Sequence, residues 1–293
     1  MEVTDFYCGS GGMSAGAILA GCTVTHGIDM NSSALRHWAA NTAGRAVCRK
    51  ISADSSTKLP WPRPSPHTHV HLSPPCTMLS KARAGRTTAD EARGGISEMA
   101  ESIAMVIDKG YASFSIENVS TPLTVQLAQC AKEKFSDKLD FLTLNANEYG
   151  TPSDRIRLLL ACPGIIQRLK EMPVRRVSVR QAFELAGVEL PADYIKNNTR
   201  TRKGQPCVRS VEDCSQTVVG SHPLTWCKRD GTTVRCLSVR ESAILMGFPE
   251  DWKLPSGQRA GILAVGNAIP PPLARAIMEA AIAAAAAHES DAQ

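Results

Sequence analysis

Through the first half of the chain, short apolar runs alternate with longer amphipathic stretches, the pattern expected of strands and helices taken in turn. Val3–Tyr7 reads as a buried strand, Cys8–Gly16 as a glycine-rich turn, and Ala17–Ala20 as the helix it opens. A second strand, Thr23–Ile28, ends in Asp29 and is followed by a helix over Ser32–Ala40 and a third strand over Ala46–Ile51. After the proline-rich loop Pro60–Pro66, the run His69-Val70-His71-Leu72 alternates like a strand running into the edge of a sheet. Two prolines then stiffen its exit toward Cys76 by removing backbone donors. Lys81–Gly95, with Arg83, Gly85, Arg86, Arg93, Gly94 and Gly95, reads as a mobile basic loop. A helix over Ile96–Lys109 and a strand over Ala112–Ile116 follow, and Ser120 or Thr121 with Pro122 is a helix start. Asp140–Ala146 and Arg155–Ala161 read as an antiparallel pair of strands.

Strand, glycine turn and helix in succession predict an α/β fold, a doubly wound and mostly parallel sheet. Beyond Pro163 the pattern breaks into isolated apolar runs and turns, with a helix over Val179–Ala186. Order returns with the helix Val239–Met246 and an alanine-rich terminal helix to about Ala287. This predicts a main domain over 1–162, a small inserted domain over 163–254, and a segment, 255–293, that completes the first.

Of the 293 residues, 43% are hydrophobic and 21% charged, the balance of a globular protein. No run reaches the roughly 18 apolar residues of a membrane span, and the N-terminus has no basic-then-apolar leader. The expectation is an intracellular protein, cytoplasmic or, in a eukaryote, nuclear, without a membrane partner. Its ten cysteines then read as free thiols. Net charge is +5, and the basic residues gather between Arg168 and Arg209, which suits either a phosphate backbone or a solvated face.

Three strand ends carry candidate chemistry. Cys76 follows a strand and precedes Lys81, Arg83 and Arg86, whose charge favours thiolate and attracts an anionic substrate; it is a candidate nucleophile or a small buried hydrophobe. Asp29 ends the second strand, where such folds hold ribose hydroxyls and where a helix-capping acid also occurs. Glu117 stands at another strand end, on the same sheet edge as Cys76 if the strands are parallel. The glycine turn matches neither a dinucleotide fingerprint nor a P-loop.

In order and approximate spacing, six blocks resemble those of the cytosine-C5 DNA methyltransferases across nearly the whole chain. They are Asp5-Phe6-Tyr7-Cys8-Gly9-Ser10-Gly11-Gly12-Met13-Ser14; Pro74-Pro75-Cys76; Glu117-Asn118-Val119; Arg155-Ile156-Arg157 after Tyr149-Gly150-Thr151-Pro152; Leu237-Ser238-Val239-Arg240-Glu241 with Met246-Gly247-Phe248-Pro249; and Gly266-Asn267-Ala268-Ile269-Pro270.

The resemblance implies an enzyme that transfers a methyl group from S-adenosylmethionine to C5 of a cytosine flipped out of double-stranded DNA. Cys76 would add to C6, Glu117 would hold or deliver a proton at N3, Arg157 would grip O2, and Arg155 would support the pocket or a phosphate. Pro74, of the same block as Cys76, would line the cofactor site. The cofactor would lie on the backbone of Asp5, Phe6, Cys8, Gly9, Ser10, Gly11 and Gly12, with Asp29 on the ribose, Met30 beside the adenine, and Ile51, Asn267 and Ala268 completing its site. Ser80, Lys81, Arg83, Arg86, Arg200, Arg202 and Lys203 would contact nucleic acid. A monomer is the family's habit, and restriction-modification is one setting for such an enzyme.

The chain departs from the family's pattern in three places. Lys50-Ile51 stands for the usual Asp-Ile, with Asp54 the nearest substitute; Thr77 follows Cys76 in place of Gln; and Ser153 replaces a Gln before the two arginines. The region 163–235 is short for target recognition, which implies few bases read, and Ser215-Gln216-Thr217-Val218-Val219-Gly220 resembles the segment that ends such regions. Cys207, Cys214, Cys227 and Cys236 form no Cys-x-x-Cys pair, so no metal is expected. Two rivals are a transfer-RNA cytosine methyltransferase, whose Cys-Phe-Thr tripeptide is absent here, and a catalytically silent DNA-binding protein on the same scaffold.

Overall fold

The computed structural model describes residues 1–52, 59–75, 89–200 and 206–291. They fall into two compact units, Met1–Leu144 with Ile156–Met172 and Ala274–Gln293, and Asn145–Arg155 with Pro173–Leu273. The second unit is larger than the predicted insert 163–254. Its core also takes in Val265 and, partly buried, Ala268, so these pack with the insert.

The first unit holds β1 (Glu2–Phe6), α1 (Gly12–Leu19), β2 (Thr23–Asp29), α2 (Ser32–Ala39), β3 (Arg45–Cys48), β4 (Thr68–Leu72) and α3 (Ala89–Asp108). It continues with β5 (Phe114–Val119), α4 (Pro122–Lys134), β6 (Asp140–Asn145), β7 (Ile156–Ala161), α5 (Pro163–Glu171) and, at the chain's end, α9 (Pro271–Asp291). Its seven-stranded sheet runs β3-β2-β1-β4-β5-β7-β6. The pairs β3–β2, β2–β1, β1–β4 and β4–β5 are parallel, and β7 is antiparallel to β5. This is the mostly parallel α/β sheet that the alternation of elements implied. The order reverses between β1 and β4, so their carboxyl ends flank the crevice where open α/β sheets take ligands.

Local sequence accounts for most element ends. Asn31 caps α2 by accepting from Ser33 and Ala34 N–H, and Thr121 caps α4 in a capping box with Pro122 in the first turn. Helix α1 begins at Gly12, well before the predicted Ala17, because Gly11 at φ 94° turns the chain and the helix is then buried continuously through Ala17. Helix α3 starts at Ala89, so residues 89–95 of the predicted basic loop are helical; the helix formers Ala89, Glu91, Ala92 and Arg93 carry it past Gly94 and Gly95. Strand β4 also departs from expectation. All five of its residues are buried and it lies between β1 and β5, so its alternation does not mark a solvent face.

One face of the sheet packs Phe6, Val70, Leu72, Phe114, Ile116, Leu158 and Leu160 with Met99, Ile103 and Val106 of α3 and Ala128 of α4. Gly27 is required on β2, since a Cβ there would lie 2.3 Å from the ring of the fully buried Trp38.

The second unit holds α6 (Val179–Leu185), β8 (Tyr194–Arg200), β9 (Pro206–Ser210), β10 (Thr225–Cys227), β11 (Thr233–Cys236), α7 (Val239–Met246) and α8 (Gln258–Asn267). Its sheet runs β11-β10-β8-β9 and is antiparallel throughout. Phe183, Ile195, Val211, Trp226, Leu237, Ile244, Leu245 and Val265 form its core.

Candidate active site

The turn after β1 is shaped by backbone. Tyr7 sits at φ 59°, Gly9 at 52° and Gly11 at 94°, and Gly9 N–H donates to the Asp29 carboxylate at 2.9 Å. A Cβ on Gly9 would meet nothing within 4 Å, so open space lies against this turn. The other Asp29 oxygen accepts from Asn31 N–H at 2.8 Å; each oxygen keeps a lone pair for a further donor. Beside it Met30 is 68% exposed, an apolar surface on the rim, and Ile51 is buried.

Beneath the turn Asp5 is fully buried. One of its oxygens accepts from the Ser14 hydroxyl at 2.7 Å, and Ser14 in turn accepts from the Trp38 indole N–H at 2.8 Å. The other oxygen has no partner among the described residues. Burial, reinforced by Asp29 and opposed by Ser14, pushes the Asp5 carboxyl up to about 7. An orphaned carboxylate oxygen, two acceptor oxygens on Asp29, a glycine turn with open space and an apolar rim fit a ligand with a cationic group, a diol and an aromatic ring. Lys50 acts electrostatically on Glu98 of α3, lowering a carboxyl that burial and Glu101 raise; Asp54 lies outside the described residues.

At the ends of β5 and β7 two of the predicted groups meet. Glu117 on β5 is 8% exposed, and one of its oxygens lies 2.8 Å from Nε of Arg157, at the start of antiparallel β7. The next residue, Asn118, donates from Nδ2 to the Pro74 carbonyl at 3.2 Å. Ser73 N–H donates to the Phe6 carbonyl of β1 at 3.2 Å. The exit of β4 is thus tied to both neighbouring strands. Cys76, Thr77, Ser80, Lys81, Arg83, Arg86, Arg202 and Lys203 lie outside the described residues, and only the backbone of Arg200 is described, as the last residue of β8.

Arg155 belongs to the second unit. Its buried guanidinium donates to the carbonyls of Val218 at 2.8 Å and of Gly266 and Ala268 at 2.9 Å each. A guanidinium so engaged is held by the backbone of its own unit. Asn267 ends α8, and its Oδ1 lies where a Cβ on Gly220 would be only 2.8 Å away. Ser153, fully buried, pairs in a bridge with Ser215, and the Gln216 amide donates to the Cys207 carbonyl at 2.7 Å. The basic stretch is partly neutralised: Arg176 pairs with Glu148, Arg180 with Glu212 and Asp193, and Arg209 with Asp154, while Lys170 faces Asp140 in the first unit. Acids distant in sequence supply these partners, which a local count of charge misses.

Sequence reasoning also missed Ser14 and Trp38, which hold Asp5, and the histidines of β4 with the serines that satisfy them. The matching alternations His69-Val70-His71 and Ser113-Phe114-Ser115 were the available signal.

The profile of the family described as C-5 cytosine-specific DNA methylase matches residues 1–182 and 188–283. The chain belongs to that family. Among solved structures, this methylase-family chain resembles a protein described as a DNA modification methyltransferase encoded within an E. coli prophage, at 18% identity, TM-score 0.62, and 96% and 98% of the two chains. It is similar also to the S. pombe Dnmt2 methyltransferase, at 14% identity, TM-score 0.62, and 97% and 98% coverage. The Entamoeba histolytica methyltransferase EhMeth matches at 13% identity and TM-score 0.62, with 97% and 98% coverage. At these identities the likeness concerns the methyltransferase fold. No curated protein matches the chain.

Proposed function

We propose that this chain is a DNA cytosine-C5 methyltransferase that makes 5-methylcytosine in double-stranded DNA, with S-adenosylmethionine as methyl donor. The observation that carries the reading is the Glu117–Arg157 pair at the end of β5, beside a β4 exit fixed by Asn118 and leading to Pro75-Cys76. Asp5, the glycine turn, Asp29 and Met30 would hold the donor, which supplies an electrophilic methyl group.

The Cys76 thiolate adds to C6 of a flipped-out cytosine, and the pair of electrons displaced from the C5–C6 bond makes C5 nucleophilic. Glu117 manages the proton at N3 as negative charge builds on the ring, and Arg157, which holds Glu117, faces O2. C5 takes the methyl group, leaving S-adenosylhomocysteine. Loss of the C5 proton to a base then breaks the C6–sulfur bond, restoring the aromatic ring and the thiolate.

Incubation with duplex DNA or transfer RNA and methyl-labelled donor, followed by nucleoside analysis, tests the reading. Labelled 5-methyldeoxycytidine is expected; label in 5-methylcytidine alone favours an RNA methyltransferase, and label in neither a silent protein.

A further inference from the structure

Two imidazoles lie side by side on β4 with no contact to solvent. His69 Nδ1 is 2.8 Å from the Ser113 hydroxyl and its Nε2 2.8 Å from that of Ser115. His71 Nδ1 is 2.8 Å from the same Ser115 hydroxyl, and its Nε2 2.8 Å from that of Ser73. The five side chains form one unbroken ladder along β4 and β5.

Burial holds both histidines at about 3, so each is neutral, with one N–H donor and one acceptor. Ser115 has a single proton for two imidazoles, so at least one of them donates to it. The tautomers are therefore coupled: the two imidazoles cannot both present an acceptor to Ser115. Valine or isoleucine at 69 and 71 would fill a strand buried on both faces with no such requirement. A fully satisfied polar row costs more to bury and gives a fixed geometry in return.

The row ends where the chemistry begins. Ser73 is the first residue after β4, between the bond from its own N–H to Phe6 and the bond from Asn118 to Pro74. Ser115 pairs in register with His71, and two residues beyond it on the same face of β5 stands Glu117. The ladder thus links the strand that leads to Cys76 to the strand that carries Glu117.

We propose that His71 is a positioning residue, which, held by Ser115, fixes Ser73 and with it the offset between the exit of β4 and Glu117. The proposal rests on the function proposed above for Cys76 and Glu117. Misplacing a reacting group by an ångström costs up to about 100-fold in rate. Ser73→Ala removes the last rung, at the half-buried end of the row, and leaves His71 Nε2 without its partner.

In the full-length protein, Ser73→Ala is expected to lower kcat about tenfold or more. The affinity for S-adenosylhomocysteine stays close to wild type, the melting temperature falls by no more than a few degrees for the lost hydrogen bond, and Ser73→Thr restores the rate. His71→Asn with Ser73→Ala should lose no more than His71→Asn alone, since the two act through one bond. A wild-type kcat in Ser73→Ala, or a loss that Thr does not restore, overturns the proposal. Alkylation of Cys76 by iodoacetamide, followed by peptide mass spectrometry, gives a readout free of methyl transfer. A changed alkylation rate in Ser73→Ala supports the positioning role even if no methylation is found on any nucleic acid, which would defeat the functional reading alone; an unchanged rate with an inactive wild type overturns both.

Discussion

Asn118 Nδ2 donates to the Pro74 carbonyl at 3.2 Å, so the residue after Glu117 grips the residue two before Cys76. Both groups are buried, and the bond joins the ends of two parallel strands. Replacing Asn118 by Ala leaves that carbonyl unpaired, a cost of about 1–3 kcal/mol. Asn118→Ala is expected to lower the melting temperature by several degrees and the methylation rate by more than that loss of folded protein explains, as measured by circular dichroism and single-turnover kinetics.

Glu117→Gln keeps the shape of the side chain and removes its ability to move a proton. Methyl transfer should fall about 100- to 10,000-fold, the usual contribution of general acid–base catalysis. Titration with S-adenosylhomocysteine should give an affinity within about twofold of wild type, because the cofactor residues stand on other strands. Arg157→Ala leaves Glu117 without its partner and is expected to approach the same rate.

Asp5 titrates near 7 in the free protein and has an oxygen ready for a cationic ligand. The ionised form attracts the ammonium group shared by the methyl donor and its product, so affinity should rise with pH and level off above about 7. The gain is at most about tenfold per pH unit for a single linked proton. Calorimetric titration with S-adenosylhomocysteine between pH 6 and 8 checks this, and Asp5→Asn should flatten the dependence.

The same groups govern acid stability. His69 and His71 titrate at about 3 folded against 6.5 unfolded, so between those values the unfolded chain binds two more protons and stability falls as pH falls. Asp5, about 7 folded against 3.8 unfolded, binds one proton in the folded chain and acts in the opposite sense. From 3.8 to 6.5 the balance is one proton, about 1.4 kcal/mol lost per pH unit of acidification. Urea unfolding at several pH values should show stability falling on acidification, and Asp5→Asn should steepen the slope by about 1.4 kcal/mol per pH unit.

Periodicity and local caps made much of the first unit legible: the strand order of chemistry, the Thr121-Pro122 helix start and the glycine turn all follow from neighbours in sequence. The family blocks located Glu117 and Arg157 as well, and the structure sets them 2.8 Å apart. What stayed hidden depends on pairing between distant residues. His69 and His71 read only as part of an alternating strand, because nothing near them in sequence says that Ser113 and Ser115 will lie opposite. Arg155 read as a support for the pocket or a phosphate, and its carbonyl partners at residues 218, 266 and 268 could not be named from its neighbours in sequence. Arg176, Arg180 and Arg209 read as a basic surface because the acids that meet them, Glu148, Glu212, Asp193 and Asp154, come from other segments.

The most direct test of the account is a covalent trap. Duplex DNA containing 5-fluorocytosine cannot lose a proton from C5 after methyl transfer, so the C6–sulfur bond persists. With S-adenosylmethionine present, the protein should form a denaturant-resistant complex whose cross-linked peptide carries the nucleotide on Cys76, and Cys76→Ser should form none. A complex that forms through another of the ten cysteines, or methylation of DNA that survives Cys76→Ser, would contradict it.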